Sequence, residues 1–162
     1  MWSSLLEKAS HKAVNTGRSD LADFLRLRLA NDTVRQAGVA WLFDTLIELT
    51  FERQEAYQNL KIARTSPHTF KSGLSTMVGS LVEIGYGVRC LSAEAGWTRT
   101  PSDGVMRDGG LAQGGIRHFG MSAKNMNYRL VSGDSLPVWI NDAGVELNVD
   151  GLSRHLDILV GA

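Results

Sequence analysis

The chain has 162 residues, of which 43% are hydrophobic and 21% charged, and its 17 basic side chains equal its 17 acidic ones. This composition is typical of a globular protein and excludes a disordered or fibrous chain. The zero net charge excludes a molecule whose overall field attracts nucleic acid or an anionic membrane, so any charged partner must meet a local patch.

The first part of the chain is predicted to be helical. A short helix ends at "NTG", and Ser19 can cap a second helix over residues 20–30. The dipeptide Asn31-Asp32 is predicted to end that helix, because both side chains compete with the backbone for hydrogen bonds. Apolar residues then recur at helical spacing over residues 39–60, which predicts a long helix that faces the core.

Another helix is predicted from Ser66 to Gly85. Serine followed by Pro67 is typical of a helix start, and the apolar residues that follow keep helical spacing. Gly73 and Gly79 each weaken a helix by about 1 kcal/mol relative to alanine. We therefore expect close packing of another backbone against this segment.

The composition changes after Gly85. "YGVRCL" predicts a short strand, and "AGWTRTPSDGVMRDGGLAQGG" predicts a connecting loop, because it is rich in Gly, Pro, Ser and Asp. We place a boundary near residue 104, between a helical body over residues 1–103 and a small unit over residues 104–162. The predicted class is α+β and mainly α.

The small unit is predicted to hold helices at residues 111–118 and 122–131, two strands and a closing helix. The strands are "LPVWI" and "VELNV", and "NDAG" between them is typical of a tight hairpin turn. The closing helix is "LSRHLDILV". Together these elements predict a helix-turn-helix followed by a β-hairpin wing.

The stretch "HFGMSAKNMNYRL" carries the clearest functional pattern. A helix-turn-helix needs a sharp turn, a cap for the second helix, and apolar residues that lock this helix onto the first. Gly120 can make the turn and Ser122 can provide the cap. Met126 and Leu130 would then face inward. The pattern predicts a DNA-reading helix.

The order of features from this stretch onward resembles the winged helix-turn-helix of the mercury-regulator (MerR) and phage-excisionase type. The order is Gly, an apolar residue, Ser, a recognition helix, a Ser-Gly loop, Leu-Pro, a two-stranded wing and a closing helix, and it covers residues 111–158. The resemblance implies that residues 122–131 are the recognition helix and residues 136–149 the wing.

Seven side chains are candidates for contact with base edges or phosphates. They are Arg117, Ser122, Lys124, Asn125, Asn127, Tyr128 and Arg129. The wing is acidic, which opposes contact with phosphates, but a homodimer formed by the helical body would double the basic patch. The sequence thus favours a regulatory or architectural DNA-binding protein that acts as a dimer.

The alternative function is a protein-interaction module, such as an adaptor, inhibitor or assembly factor, that binds no nucleic acid. Trp97 is the candidate contact residue, because it is an aromatic side chain in a predicted polar loop. The competing interpretation is that Trp97 anchors this loop to the core.

An enzyme is the third hypothesis, and it requires that Cys90 share a cleft with a histidine. The sequence holds no local catalytic signature and no His or carboxylate pair with metal-ligand spacing, and "DGGLAQGG" lacks the Gly-Lys-Ser/Thr ending of a phosphate loop. We therefore expect no catalysis, no metal and no cofactor.

The expected location is the cytoplasm. A lone cysteine cannot form an intramolecular disulfide, which fits a reducing compartment. The N-terminal stretch lacks the apolar core of a signal peptide, and the longest apolar run, "AGVAWLF", is too short to span a bilayer. We therefore predict no membrane partner.

Overall fold

The computed structural model describes residues 2–15, 19–106 and 109–162. Within these ranges the helices are α1 (Trp2–Asn15), α2 (Ser19–Arg53) and α3 (Val149–Val160). The strands are β1 (Lys61–Ser72), β2 (Ser75–Tyr86), β3 (Arg89–Trp97), β4 (Ala112–His118), β5 (Met126–Val131) and β6 (Val138–Asn141). Two single-turn 3-10 helices lie at Pro101–Asp103 and Ser122–Lys124.

All six strands pair in chain order, each antiparallel to the next, and form one sheet. The prediction of a mainly helical chain is therefore wrong, because the segment from residue 61 to residue 141 is built around this meander. Every strand pairs with a neighbour in sequence, so short turns suffice for most of the connections.

The chain divides into two compact units, residues 1–37 and residues 38–162. In the first unit, Leu6 and Ala22 are buried. Asp32 is also buried, and its carboxylate accepts a hydrogen bond of 2.9 Å from Arg35 one turn later. The prediction that Asn31-Asp32 ends a helix is wrong, because α2 runs through the dipeptide from Ser19 to Arg53.

The second unit has one hydrophobic core. Its helical contributions come from α2 and α3, where leucines recur three or four residues apart and so share one helix face. The buried members from the helices are Leu42, Phe43, Leu46, Leu152, Leu156 and Leu159. The sheet contributes the apolar side chains of alternate strand positions, such as Leu91, Ala93 and Ala95 in β3.

The alternation gives the sheet two different faces. We call the face with the buried side chains the inner face, and the opposite one the outer face. In β3, Ser92 and Glu94 lie on the outer face, and in β4 the outer positions are Gln113, Gly115 and Arg117. The outer face is therefore mainly polar, and it carries the site described below.

The predicted helix over residues 66–85 is wrong, because this segment forms most of the hairpin β1–β2. Gly73 has a φ of 61° and makes the turn, a conformation that favours glycine. A Cβ atom on Gly79 would overlap the carbonyl oxygen of Ala95 in β3. The backbone that packs closely against Gly79 is thus a neighbouring strand.

The predicted helix-turn-helix and the winged-helix-like unit are also wrong. The first predicted helix is β4, and the predicted recognition helix is a 3-10 turn followed by β5. Gly120 does lie in a turn, with a φ of 79°, but this turn joins two strands of the sheet. The proposed boundary at residue 104 falls inside the second compact unit.

The prediction of a closing helix is confirmed by α3. The side chain of Asn148 caps this helix by accepting a hydrogen bond of 2.9 Å from the backbone N–H of Gly151. Of the two predicted wing strands, the first is confirmed as β6, and the second forms only a bridge between Ile140 and Glu146. None of the described helices has the length and apolar content needed to cross a membrane.

Candidate functional site

A groove of about 360 Å³ lies on the outer face of the sheet. We call it the outer groove. Its volume falls within the usual range for sites that bind small molecules, roughly 300 to 1,000 Å³. The side chains that line it are mostly polar or charged: Phe70, Lys71, Glu94, Gln113, Arg117, Asn127, Arg129 and Asp142.

Gln113 and Arg129, which line the outer groove, end a row of residues that crosses the outer face of the sheet. Directly paired residues of neighbouring strands have side chains on the same face. Strand pairing therefore sets one outer row of His68, Gly79, Gly96, Gln113 and Arg129, in that order across β1 to β5. Of this row, Gln113 and Arg129 line the groove, whereas backbone atoms of the neighbouring strand fill the space where side chains of Gly79 and Gly96 would lie.

A third glycine, Gly115, lies in the adjacent row between Glu94 and Asn127. A Cβ atom there would lie 2.6 Å from Nη1 of Arg117, so the Arg117 guanidinium lies across Gly115. Arg117 donates to the backbone carbonyl of Met126 at 2.9 Å and to Oδ1 of Asn127 at 2.6 Å. These bonds fix the guanidinium and leave the amide N–H groups of Asn127 available to donate.

Arg129 is the second guanidinium of the groove, and its Nε is buried with no hydrogen-bond partner within the described residues. Neither Arg117 nor Arg129 belongs to any of the ion pairs formed within the described ranges of the chain. A buried N–H donor without a partner is costly, about 1 to 3 kcal/mol. This wall of the groove therefore offers positive charge and donors that the protein itself does not neutralise.

Phe70 gives the groove an aromatic wall. The rings of His68 and Phe70 are stacked, with centroids 5.7 Å apart and planes inclined by 19°. Nε2 of His68 lies 2.9 Å from Oε2 of Glu94, which ties the imidazole to the sheet. Lys71 follows Phe70 and donates to Thr76 at 2.6 Å. The lining of the groove thus combines two guanidinium groups with one oriented aromatic ring, that of Phe70.

A second polar cluster lies on the inner face and is buried. Nε2 of His118 is 2.8 Å from Nδ1 of His155, and Nε2 of His155 is 3.0 Å from the hydroxyl of Tyr128. Nδ1 of His118 is buried without a partner among the described residues. The cluster joins α3 to β4 and β5.

The electrostatics of this cluster keep both histidines neutral near pH 7. Burial, with smaller contributions from the neighbouring His118 and Arg154, lowers the pKa of His155 from 6.5 to about 4. Burial, with a smaller contribution from Lys124, also lowers the pKa of His118. In a neutral pair one imidazole donates and the other accepts across the 2.8 Å contact, so the cluster acts as a structural link.

The seven predicted DNA-contact residues lie in different parts of the structure. Arg117, Asn127 and Arg129 come together in the outer groove. Ser122 and Lys124 lie instead in the 3-10 turn before β5. No helix presents the seven side chains together.

The other two predicted contact residues serve the structure of the protein. Oδ1 of Asn125 accepts a hydrogen bond of 2.7 Å from the backbone N–H of His118. Tyr128 borders the outer groove, but it is buried, and its hydroxyl contacts His155 in the inner-face cluster. Trp97, the predicted partner contact, is only 5% exposed, and the guanidinium of Arg99 lies 3.8 Å from its ring centroid. Its position is that of an anchor in the core.

The groove contains residues that the sequence did not single out, namely Phe70, Glu94 and Gln113. A signal was present in "MNYRLV", where Met126, Tyr128 and Leu130 alternate with polar side chains, as in a half-buried strand. The strand assignment would have placed Asn127 and Arg129 on one face.

Cys90 and His118 both line an open hollow beside the turn after β4. The thiol is not activated there. Burial, together with the negative charge of Glu83, raises the pKa of the Cys90 thiol above its usual value, whereas a nucleophilic cysteine needs a lowered one. Nε2 of His118 is occupied by His155, so it does not serve as a base for the thiol.

No group of three or more His, Cys, Asp or Glu side chains in the described part of the chain is arranged to hold a metal ion. Comparisons of the chain with protein-family models, with curated proteins and with solved structures gave no match. Function is therefore inferred from the outer groove.

Proposed function

We propose that the protein binds a small anionic ligand, carrying a phosphate or carboxylate group, in the outer groove. The observation that carries this proposal is the pair of guanidinium groups, Arg117 and Arg129, which share one wall and have no carboxylate partner within the described residues. Hydrogen bonds from a guanidinium to an anion are roughly twice as strong as neutral ones.

The donors around the two arginines support an oxyanion as the ligand. The buried Nε of Arg129 has no partner among the described residues, and the amide of Asn127 directs its oxygen to Arg117, which leaves its N–H groups free to donate. Gln113 pairs directly with Arg129 across the strands and adds a further amide. Several donors that converge on one small hollow are what a group with several oxygen atoms requires.

An anion would bind in the outer groove and not along a recognition helix. Duplex DNA binding by a helix in the major groove requires a helix over residues 122–131, and β5 occupies most of that segment. The basic side chains of the outer groove instead line a hollow in a sheet surface, whose dimensions suit a small ligand.

Isothermal titration calorimetry with inorganic pyrophosphate and with citrate tests the proposal. We expect at least one of them to bind with a dissociation constant below about 1 mM. Arg129→Gln should weaken that binding roughly ten-fold, because a charge-assisted bond is lost. Arg26→Gln is the matched control, since Arg26 is an exposed arginine of α2 whose neighbour is Asp23. Absence of binding by the folded wild-type protein would overturn the proposal.

A further inference from the structure

We infer that the anion bound in the outer groove is the phosphate of a nucleotide, whose base packs against Phe70. The inference rests on the proposed function and goes beyond it, because it assigns the uncharged part of the ligand. It is carried by the presence of Phe70 and of two guanidinium groups, those of Arg117 and Arg129, in the lining of one groove.

The aromatic wall is fixed before a ligand arrives. Phe70 lines the groove, and its ring is stacked with that of His68. His68 is in turn held by its contact of 2.9 Å with Glu94. A ring that is already oriented loses little conformational freedom when a second ring stacks on it, so it suits a planar base.

Gln113 lines the same groove and offers both a donor and an acceptor to the polar edge of a base. It lies directly opposite Arg129 in the neighbouring strand, so its amide is next to a guanidinium group that can hold the phosphate.

The distribution of charge also favours a nucleotide over a compact polyanion. The groove holds carboxylates as well as basic groups: Glu94 belongs to the aromatic side, and Asp142 lies in the turn after β6. A polyanion that filled the groove would meet both carboxylates, whereas a nucleotide places negative charge only at its phosphate. A carboxylate such as that of Asp142, which lines the groove, can also accept a hydrogen bond from a ribose hydroxyl.

A free mononucleotide and one nucleotide of a single strand share this chemistry. Open antiparallel sheets that present aromatic and basic side chains are a common platform for single-stranded nucleic acid. The test therefore includes both sources. Its ligands are adenosine and uridine 5′-monophosphate, ribose 5-phosphate, inorganic pyrophosphate, and a fluorescein-labelled single-stranded hexanucleotide.

We expect a mononucleotide or the hexanucleotide to bind at least about ten-fold more tightly than ribose 5-phosphate, because stacking on an aromatic ring adds to the phosphate contacts. Phe70→Leu should remove most of this advantage and leave binding of ribose 5-phosphate unchanged, since leucine keeps an apolar side chain at the site. Phe51→Leu is the matched control, because Phe51 is an exposed phenylalanine of α2.

The possible results distinguish a failure of the nucleotide assignment from a failure of the anion site. If the hexanucleotide binds far more tightly than either mononucleotide, the nucleotide in the groove belongs to a single strand. If a mononucleotide binds as tightly as the hexanucleotide or more tightly, the ligand is a free nucleotide. Both results support the inference. If neither source binds more tightly than ribose 5-phosphate, while pyrophosphate binds and Arg129→Gln weakens it, the nucleotide is wrong and the anion site stands. If no anion binds, both proposals fail.

Discussion

At the scale of single residues, His155 makes the stability of the fold depend on pH. Its pKa is about 4 in the folded protein against 6.5 for an ordinary histidine. Between these two values the unfolded state binds a proton that the folded state does not. The contribution of neutral His155 is therefore complete above about pH 6.5 and is lost as the pH falls toward 4, by a total of about 3 kcal/mol.

Urea unfolding followed by circular dichroism checks this dependence. We expect the free energy of unfolding to be lower at about pH 5 than at about pH 7.5 by about 2 kcal/mol, with His118 adding to the loss because its pKa is also lowered. His155→Gln should reduce this pH dependence, and the matched control His11→Gln, at an exposed residue of α1, should not change it. Equal stability of the wild-type protein at both pH values would contradict the prediction.

At the scale of elements, sequence periodicity predicted some segments and misassigned others for a physical reason. α3 was predictable because its leucines recur at helical spacing between the caps Asn148 and Gly161. The segment after Ser66 was misassigned because its apolar residues satisfy helical spacing by coincidence, and only pairing with β3 decides which of them are buried. Pairing between strands is not a property of a single segment, so periodicity within the segment did not reveal it.

The same limit applies to the outer groove. Arg117 and Arg129 stood out as basic side chains, but they were predicted to lie on two different helices. They share a groove only because β4 pairs with β5 in a register that sets Gln113 opposite Arg129. The residues that complete the groove come from β1 and β3, which are distant in sequence, and no local pattern links them.

Gly79 is the position where the packing of strands is most sensitive to substitution. A Cβ atom there would overlap the carbonyl oxygen of Ala95 and lie 2.6 Å from Cα of Gly96, and neither backbone atom can move without disturbing the pairing of β2 with β3. We expect Gly79→Ala to lower the free energy of unfolding by about 2 to 4 kcal/mol.

Gly85→Ala is the matched control for this substitution. Gly85 lies on the same strand, and a Cβ atom on it would meet nothing within 4 Å. Its replacement should leave stability within about 0.5 kcal/mol of the wild-type value or raise it slightly, because alanine restricts the unfolded chain. Urea denaturation of the three proteins at one pH gives the comparison. Equal stabilities of the two variants would show that the close approach of β2 and β3 is not a constraint.

At the scale of the whole molecule, the second compact unit holds everything that the outer groove requires. The hydrophobic core runs from Leu42 to Leu159, and the groove side chains lie between Phe70 and Asp142. At the start of this unit, the carbonyl oxygen of Gly38 in α2 accepts a hydrogen bond of 3.0 Å from the indole N–H of Trp139. A fragment that begins shortly before Gly38 therefore keeps the core and the groove.

A fragment of residues 34–162 tests whether this unit is sufficient for folding and binding. It keeps one turn of α2 ahead of Gly38, so the helix can still begin before its contact with Trp139. We expect a single cooperative urea transition and a dissociation constant for pyrophosphate within about two-fold of the full-length value, because a compact unit with its own core folds by itself. A fragment that folds but binds more than about ten-fold less tightly would place part of the binding determinant in residues 1–33. A fragment that does not fold would show that those residues are needed for the core to form.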